Sequence, residues 1–245
     1  MKDYNGLHKL WKQAHKAGSP TKFVRNGVVF RELKKLVPGT TLDAGCGMGE
    51  YSLFLAQSGH KVVAFDPSGF AVNALIVRAG TEFRIEAEIN TIEGFQESRK
   101  FDNIVSIEVI EHVQFDRAAT RKLYCLLKET GTLVISAPAM KFLFGEGDRV
   151  SGHFRRYSYY GFRKMLLRAG FKEVSIISYG FPLLFIYTLM RKFVFERALL
   201  RHFSTTESNR KFAWPGLSKL YRFALVIDQL NIPHLGIGYV AICKK

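Results

Sequence analysis

The chain has 245 residues, 47% of them hydrophobic, and a mean hydropathy of +0.00, which is ordinary for a globular protein with a substantial core. Its three cysteines lack metal-ligand spacing and an evident disulfide partner, so we expect no metal site and a reducing compartment. The N-terminal sequence MKDYNGLHKLWKQ is polar and interrupted, unlike a signal peptide, and we therefore expect a cytoplasmic protein.

The formal net charge of +15 is unevenly distributed along the chain. Residues 43–140 hold nine Lys and Arg against thirteen Asp and Glu, whereas residues 1–42 hold nine against two and residues 141–245 hold eighteen against six. Both flanks are therefore basic around a mildly acidic middle. This pattern predicts an anionic partner, such as a phosphate, a nucleic acid or a lipid head group, and the alternative is a charged face kept for solubility.

The first segment, residues 1–40, is predicted to form a helical lid. An apolar stripe at helical spacing (Leu7, Leu10 and Trp11) indicates one or two short helices between residues 4 and 36. Such a segment would cover a ligand or pack on the edge of a sheet.

A glycine-rich bend follows in TTLDAGCGMGE (40–50), where a short apolar strand leads into a helical pattern. Glycines at such a bend let the backbone approach a ligand, and the next helix points its free N–H groups at it. A second apolar run, residues 62–65, ends in Asp66, which is placed to accept hydrogen bonds from ribose hydroxyls. Strand, loop, helix, strand and acid in this order predict a nucleotide-like ligand.

The segment DAGCGMG (43–49) resembles motif I of the class I S-adenosylmethionine-dependent methyltransferases, D-x-G-C-G-x-G. The dinucleotide pattern G-x-G-x-x-G fails, because Glu50 stands where its third glycine should be. The resemblance continues through FRIEAEI (83–89) and FDNIVSIEVIEHV (101–113), and it implies S-adenosyl-L-methionine as the cofactor. It assigns to cofactor binding Asp43, Gly45, Cys46, Gly47 and Gly49 in the loop, Asp66 with Pro67 at the ribose, Glu88 with Ile89 near the adenine, and Glu108.

Apolar runs alternating with helical patterns predict an α/β fold with a parallel sheet, and the resemblance implies a Rossmann-like sheet of seven strands whose last strand is antiparallel. The cofactor-binding core is expected at residues 41–178, completed by a final strand at 237–245. A ligand of such a sheet lies beyond the carboxyl ends of its strands. We expect strands near 41–45, 61–66, 82–86, 102–107, 131–136, 173–178 and 237–243.

The pair Glu111-His112 resembles the O-methyltransferases of quinone biosynthesis. A hydroxyl acceptor needs a base, and an unperturbed imidazole titrates near neutrality, so His112 and His153 are candidate catalytic residues. An amine or carboxylate acceptor needs no base. The alternative for Glu108, Glu111 and His112 is that they only cap the following helix.

The loop GHFRRYS (152–158) resembles a motif of methyltransferases encoded with glycan and lipid-carrier enzymes. Its adjacent arginines could hold a phosphate or carboxylate, which makes Arg155, Arg156 and Tyr157 candidate substrate-binding residues. The alternative is a salt bridge within the loop to Asp148 or Glu146.

Residues 179–236 separate the last two predicted strands, where the family has a short hairpin, and we expect them to form a helical cap over substrate or membrane. The segment FPLLFIYTLM (181–190) is apolar around its whole circumference, and basic residues follow it. It is too short to span a bilayer, so it meets lipid at an interface, packs on the sheet or contacts a second copy.

Together these features predict methyl transfer from S-adenosylmethionine to an amphiphilic, anionic acceptor, such as a lipid, an isoprenoid or a lipid-linked glycan, at the cytoplasmic membrane face. One alternative is a soluble small-molecule O- or N-methyltransferase. Nucleic-acid methylation is a weaker alternative, because SIEV (106–109) lacks the Pro-Pro-aromatic run that base-amino methylating enzymes use.

Overall fold

A computed structural model describes residues 20–190 and 226–245. Within these ranges seven strands form one sheet and helices cover both of its faces. The apolar stripe near the N-terminus and the basic residues after Met190 lie outside the described residues. The strands are β1 (Thr40–Ala44), β2 (Lys61–Asp66), β3 (Ile85–Ile89), β4 (Phe101–Ile107), β5 (Leu127–Pro138), β6 (Glu173–Tyr179) and β7 (Gly238–Lys244).

The described α-helices precede β1 or lie between successive strands. They are α1 (Pro20–Leu33), α2 (Glu50–Gln57), α3 (Gly69–Ala79), α4 (Asp116–Leu126), α5 (Glu146–Val150), α6 (Tyr159–Ala169) and α7 (Leu183–Met190). Both ends of α6 are capped: the Ser158 hydroxyl accepts a hydrogen bond from the Gly161 amide, and Gly170 follows the helix at a φ of 116°.

The strand order is β3-β2-β1-β4-β5-β7-β6, with β7 antiparallel to both of its neighbours. The predicted seven-stranded, mostly parallel sheet with an antiparallel last strand is therefore confirmed. The chain reverses its direction across the sheet between β1 and β4, so a crevice opens at their carboxyl ends. The predicted cofactor residues lie at the carboxyl ends of these two strands and of the neighbouring β2 and β3.

Successive side chains of the central strands point to opposite faces of the sheet and pack in two separate hydrophobic cores. On β4, Ile104 packs in the core that contains Leu123 of α4 and Leu166 of α6. Its neighbour Val105 packs in the other core, with Val28 of α1 and Leu55 of α2. This two-sided burial explains the nearly continuous apolar runs of the central strands.

Polar contacts join the two described parts of the predicted cap to each other, and an apolar side chain packs the cap on the core. Asp228, which is fully buried, accepts hydrogen bonds from the amides of Leu183 and Leu184 at 2.9 and 2.6 Å, at the start of α7. Leu184 itself is 1% exposed and belongs to the core that contains Val240. Of the contacts expected for this apolar segment, packing on the core is therefore present on one side of α7.

Candidate functional site

The glycine loop after β1 is held against β2 by backbone hydrogen bonds. The amides of Gly45 and Cys46 both donate to the Phe65 carbonyl at 2.9 Å. The Gly47 amide donates to Oδ2 of Asp66 at 2.9 Å, and the Ser68 amide donates to Oδ1 at the same distance. Asp66 thus fixes the loop as well as facing the crevice, which local sequence patterns did not predict.

The three loop glycines all have positive φ, but their surroundings differ. A Cβ at Gly45 would overlap Val109, and a Cβ at Gly49 would overlap Leu75. No heavy atom of the described residues would lie within 4 Å of a Cβ at Gly47. The space beside Gly47 is therefore the open side of the loop, where a ligand can approach the backbone.

Asp43, at the end of β1, is a buried carboxyl group. It is 1% exposed and accepts a hydrogen bond from the Ser52 hydroxyl at 2.6 Å. Burial raises its pKa to about 7; the nearby Asp66 acts in the same direction, and the Ser52 hydrogen bond opposes them. The group therefore changes its charge near neutral pH.

This raised pKa predicts a pH-dependent cofactor affinity. Burial favours the neutral form of Asp43 when no ligand is bound. The contribution of this residue to folding stability is therefore full below its unfolded pKa and is lost as pH rises through about 7. A ligand with cationic ammonium and sulfonium groups favours the ionised form. We expect affinity for S-adenosylmethionine to rise about tenfold between about pH 6 and pH 8. Calorimetry across this range should show that the affinity of Asp43→Asn for S-adenosylmethionine does not change with pH. If the wild-type affinity is equally independent of pH, Asp43 does not control cofactor binding.

The end of β3 lies beside Asp66, as the resemblance implies for the adenine side of the pocket. In the pairing of β2 with β3, Phe65 is opposite Glu88 and Asp66 is opposite Ile89. Ile89 is 62% exposed, and the Glu88 carboxylate accepts a hydrogen bond from the Asn90 amide group at 2.9 Å. These residues and Pro67 offer an apolar surface with an acceptor beside it, and their role at the adenine stays a prediction.

Glu108 has an unusual backbone after β4, with a φ of 57° that non-glycine residues rarely adopt. Its amide donates to the Ser136 hydroxyl at 2.9 Å, and that hydroxyl donates to Glu108 Oε1 at 2.8 Å. The Arg25 guanidinium lies 3.4 Å from the other carboxylate oxygen. Such strain is often found at ligand sites, and here β5 and α1 both hold the side chain in place.

Helix α1 supplies polar residues to the site that sequence analysis missed. Asn26 donates to the Glu50 carboxylate and accepts from the Tyr51 hydroxyl at 2.8 and 2.7 Å. The Arg25 Nε atom is buried and has no hydrogen-bond partner within residues 20–190 and 226–245. Only the placement of Lys22, Arg25 and Asn26 on one helical face could have indicated this.

A cluster of Glu111, His112 and His153 lies beyond β4. Glu111 is fully buried, and among the described residues neither of its carboxylate oxygens has a hydrogen-bond partner. Burial raises its pKa well above the usual range, and the Glu108 carboxylate adds to the effect. The two imidazole centroids are 4.7 Å apart, and His153 Nε2 lies 3.9 Å from Glu111 Oε1.

This cluster brings both predicted catalytic histidines to one place. Ligand atoms of Glu111, His112 and His153 all lie within 4.8 Å of one another. The group could move a proton or hold a cation, so the expectation of no metal ion stays untested. The segments that follow β4 and β5 meet at Glu111, where the Phe154 amide donates to the Glu111 carbonyl. The buried Glu111 side chain therefore lies beside both histidines.

The two arginines of the GHFRRYS loop have partners inside the protein. Arg156 Nε donates to both Asp148 oxygens at 2.9 and 2.8 Å. Arg155 contacts the Asp116 carboxylate at 2.9 Å, and the buried Tyr157 hydroxyl donates to the same group at 3.0 Å. The salt bridge considered as the alternative for Arg156 is thus present, and substrate binding by these residues stays a prediction.

Comparison with known proteins places the chain among enzymes. A family model described as a methyltransferase domain matches residues 19–176. The chain is 31% identical over 116 residues to a ubiquinone biosynthesis O-methyltransferase from Bradyrhizobium diazoefficiens, covering 47% of this chain and 45% of the relative. It is 34% identical over 112 residues to the mitochondrial counterpart from Schizosaccharomyces pombe, covering 44% and 41%. The match spans less than half of either relative's length.

Solved structures share the fold. A possible histamine N-methyltransferase from Thermotoga maritima superposes with a TM-score of 0.60 at 16% identity, covering 99% of this chain and 96% of that one. Phosphoethanolamine N-methyltransferase 2 from Haemonchus contortus, solved with S-adenosyl-L-methionine, gives 0.59 at 15% identity, covering 94% and 58%. With the sheet order, the glycine loop and the family match in agreement, the chain belongs to the methyltransferase domain family, among the S-adenosylmethionine-dependent class I enzymes that its motifs resemble.

Proposed function

We propose that this protein transfers a methyl group from S-adenosylmethionine to a hydroxyl of an amphiphilic, anionic acceptor. The observation that carries the choice of a hydroxyl is the Glu111, His112 and His153 cluster, which supplies imidazole nitrogens beside the crevice. The names of the O-methyltransferase relatives support an acceptor of the quinone-precursor type. Lipids, isoprenoids and lipid-linked glycans share the required combination of polar head and apolar tail.

The proposed chemistry needs positioning and one proton transfer. When bound, S-adenosylmethionine supplies an electrophilic methyl group on a positively charged sulfur. The pocket would hold the acceptor oxygen in line with that methyl group, S-adenosylhomocysteine would be the leaving group, and an imidazole nitrogen of His153 or His112 would take the hydroxyl proton. The donor would be held by the glycine loop at Gly47 together with Asp66 and Glu108. Exclusion of water from the site would favour the near-attack geometry. Arg25 Nε is available to a carboxylate such as the one in the amino-acid half of the donor.

The acceptor class is tested by measuring methyl transfer from a radiolabelled donor to three probes. They are a catechol with a short isoprenoid tail, the same catechol without the tail, and a short RNA. We expect the tailed catechol to have the highest kcat/KM, because the tail adds apolar binding energy. Equal use of both catechols would support the soluble small-molecule alternative, and transfer to RNA alone would overturn the proposal.

Arg155 and Arg156 are predicted to bind the anionic group of the acceptor. The Arg155 side chain is 33% exposed against 13% for Arg156, so Arg155 is the better placed of the two. We expect Arg155→Ala to lower turnover of a tailed catechol that also carries a carboxylate about 10- to 100-fold while cofactor affinity is unchanged. Arg155→Lys should recover little, because a point charge cannot reproduce a bidentate fork. If Arg155→Ala weakens cofactor binding equally, the side chain serves the loop and not the acceptor.

An anionic membrane surface is the second partner that we propose, on the cytoplasmic side. None of the described helices is long and apolar enough to cross a membrane. On α7, Leu183, Ile186 and Met190 are 38%, 50% and 61% exposed and recur at helical spacing on one side. These three residues are the ones to test for contact with lipid, whereas Leu184 of the same helix is buried.

A further inference from the structure

Asp148 holds His153 in one orientation through a short hydrogen bond. The carboxylate lies in α5, is 4% exposed, and has its Oδ1 atom 2.9 Å from Nδ1 of His153. It also accepts from Arg156 Nε and from the Gly145 amide, the latter at 3.0 Å. With three donors from three parts of the loop, the carboxylate has little freedom to move.

The chemistry of this contact determines which ring nitrogen of His153 carries the proton. Burial opposes ionisation of Asp148, but hydrogen bonds from His153 and Arg156 outweigh it and lower its pKa to about 2. An ionised carboxylate can only accept hydrogen bonds, so Nδ1 must be the donor. In the neutral ring, Nε2 then carries the lone pair.

The Nε2 lone pair lies on the side of the His153 ring that is nearest to Glu111. Nε2 is 3.9 Å from Glu111 Oε1, which exceeds hydrogen-bonding distance, and the His112 ring packs edge-on against the His153 ring. A histidine side chain in water prefers the proton on Nε2. The contact with Asp148 reverses that preference and leaves Nε2 able to accept a proton at the crevice.

We propose that Asp148 is a positioning residue of the methyl transfer: it selects the Nδ1–H form of His153, so that Nε2 takes the proton of the acceptor hydroxyl. The inference rests on the proposed function, since an acceptor without a hydroxyl would need no base. A purely structural Asp148 would instead act through Arg156 and Gly145 to shape the loop. The two roles predict different behaviour when His153 is already absent.

The protonated nitrogen of His153 can be read directly by NMR. In the full chain labelled with 15N-histidine, His153 signals are assigned by their loss in His153→Gln. At a pH where the spectra show a single protonated ring nitrogen, we predict that this nitrogen is Nδ1 and that Nε2 is unprotonated. Asp148→Asn should move the proton to Nε2, because the amide NH₂ can donate to Nδ1. A proton on wild-type Nε2, or an unchanged pattern in Asp148→Asn, would overturn the inference.

Kinetics with the tailed catechol separates positioning from loop structure. We expect Asp148→Asn and His153→Gln each to lower kcat by about 100-fold or more, with KM and the affinity for S-adenosylhomocysteine little changed. The double variant should be no slower than His153→Gln alone, because Asp148 acts only through that ring. The control Arg149→Gln, which removes an exposed ion pair with Glu146 in the same short helix, should retain full activity.

Each other result has a defined meaning. A further loss of kcat when Asp148→Asn is added to His153→Gln would overturn the positioning role in favour of a structural one. Full kcat in His153→Gln would overturn the proton-acceptor role. If the wild-type protein methylates none of the probes, the proposed function fails, whereas the NMR measurement still decides whether Asp148 selects the Nδ1–H form.

Discussion

Gly47→Ala is expected to lower the affinity for S-adenosylmethionine by about 100-fold or more. A methyl group here meets no protein atom within 4 Å among the described residues, so it projects into the space kept open for the ligand. The Gly47 amide is also directed at Asp66, which holds the loop in place. Loss of a close backbone approach and intrusion on the ligand act in the same direction.

The chain offers a closely matched control for this substitution. Gly80, after α3, has a φ of 56° against 52° for Gly47, and a Cβ there also meets nothing within 4 Å of the described structure. Both alanine variants should therefore lose about 1 kcal/mol of folding stability from the left-handed backbone. Calorimetry should show normal cofactor affinity for Gly80→Ala alone. If Gly47→Ala binds the cofactor like the wild type, the loop does not cradle the ligand.

The sheet was predictable from sequence because its central strands are buried on both faces. Residues 62–65 read as a continuous apolar run, and the strand predicted at 61–66 forms β2. The third strand was placed near 82–86 but lies at Ile85–Ile89, because it is an edge strand whose alternate residues face solvent. Its register is set by pairing Val62 with Ile85 across the chain, which no local pattern encodes.

The site was predictable where motifs are local and unpredictable where distant segments meet. Sequence analysis proposed the glycine loop and Asp66 from their positions after strands, and it proposed the two histidines as candidate bases for a hydroxyl acceptor. It missed Arg25, because its partner Glu108 lies far along the chain, and it considered Asp148 only as a loop partner for the arginines. Which partner a charged side chain chooses depends on long-range packing that residue spacing alone does not specify.

Association with anionic membranes is the second large effect that we expect, and it should depend on α7. Wild-type protein should sediment with vesicles that contain an anionic lipid, more weakly at high salt, because each basic residue near the surface contributes about 1 kcal/mol. Replacing Leu183, Ile186 and Met190 together by serine should remove the salt-resistant part. Loss of three exposed apolar side chains predicts at least about a tenfold weaker partition.

The control and the contrary outcome use the same assay. Ile76 and Val77 on α3 are 49% and 80% exposed, so Ile76→Ser/Val77→Ser removes similar apolar surface elsewhere on the molecule. That variant should bind vesicles like the wild type. If the wild type ignores anionic vesicles at low salt, or if both serine variants bind equally, the exposed side of α7 does not insert into lipid. It would then be a cover for the acceptor, and the serine substitutions in α7 should raise KM for the tailed catechol and leave the tail-free catechol unaffected.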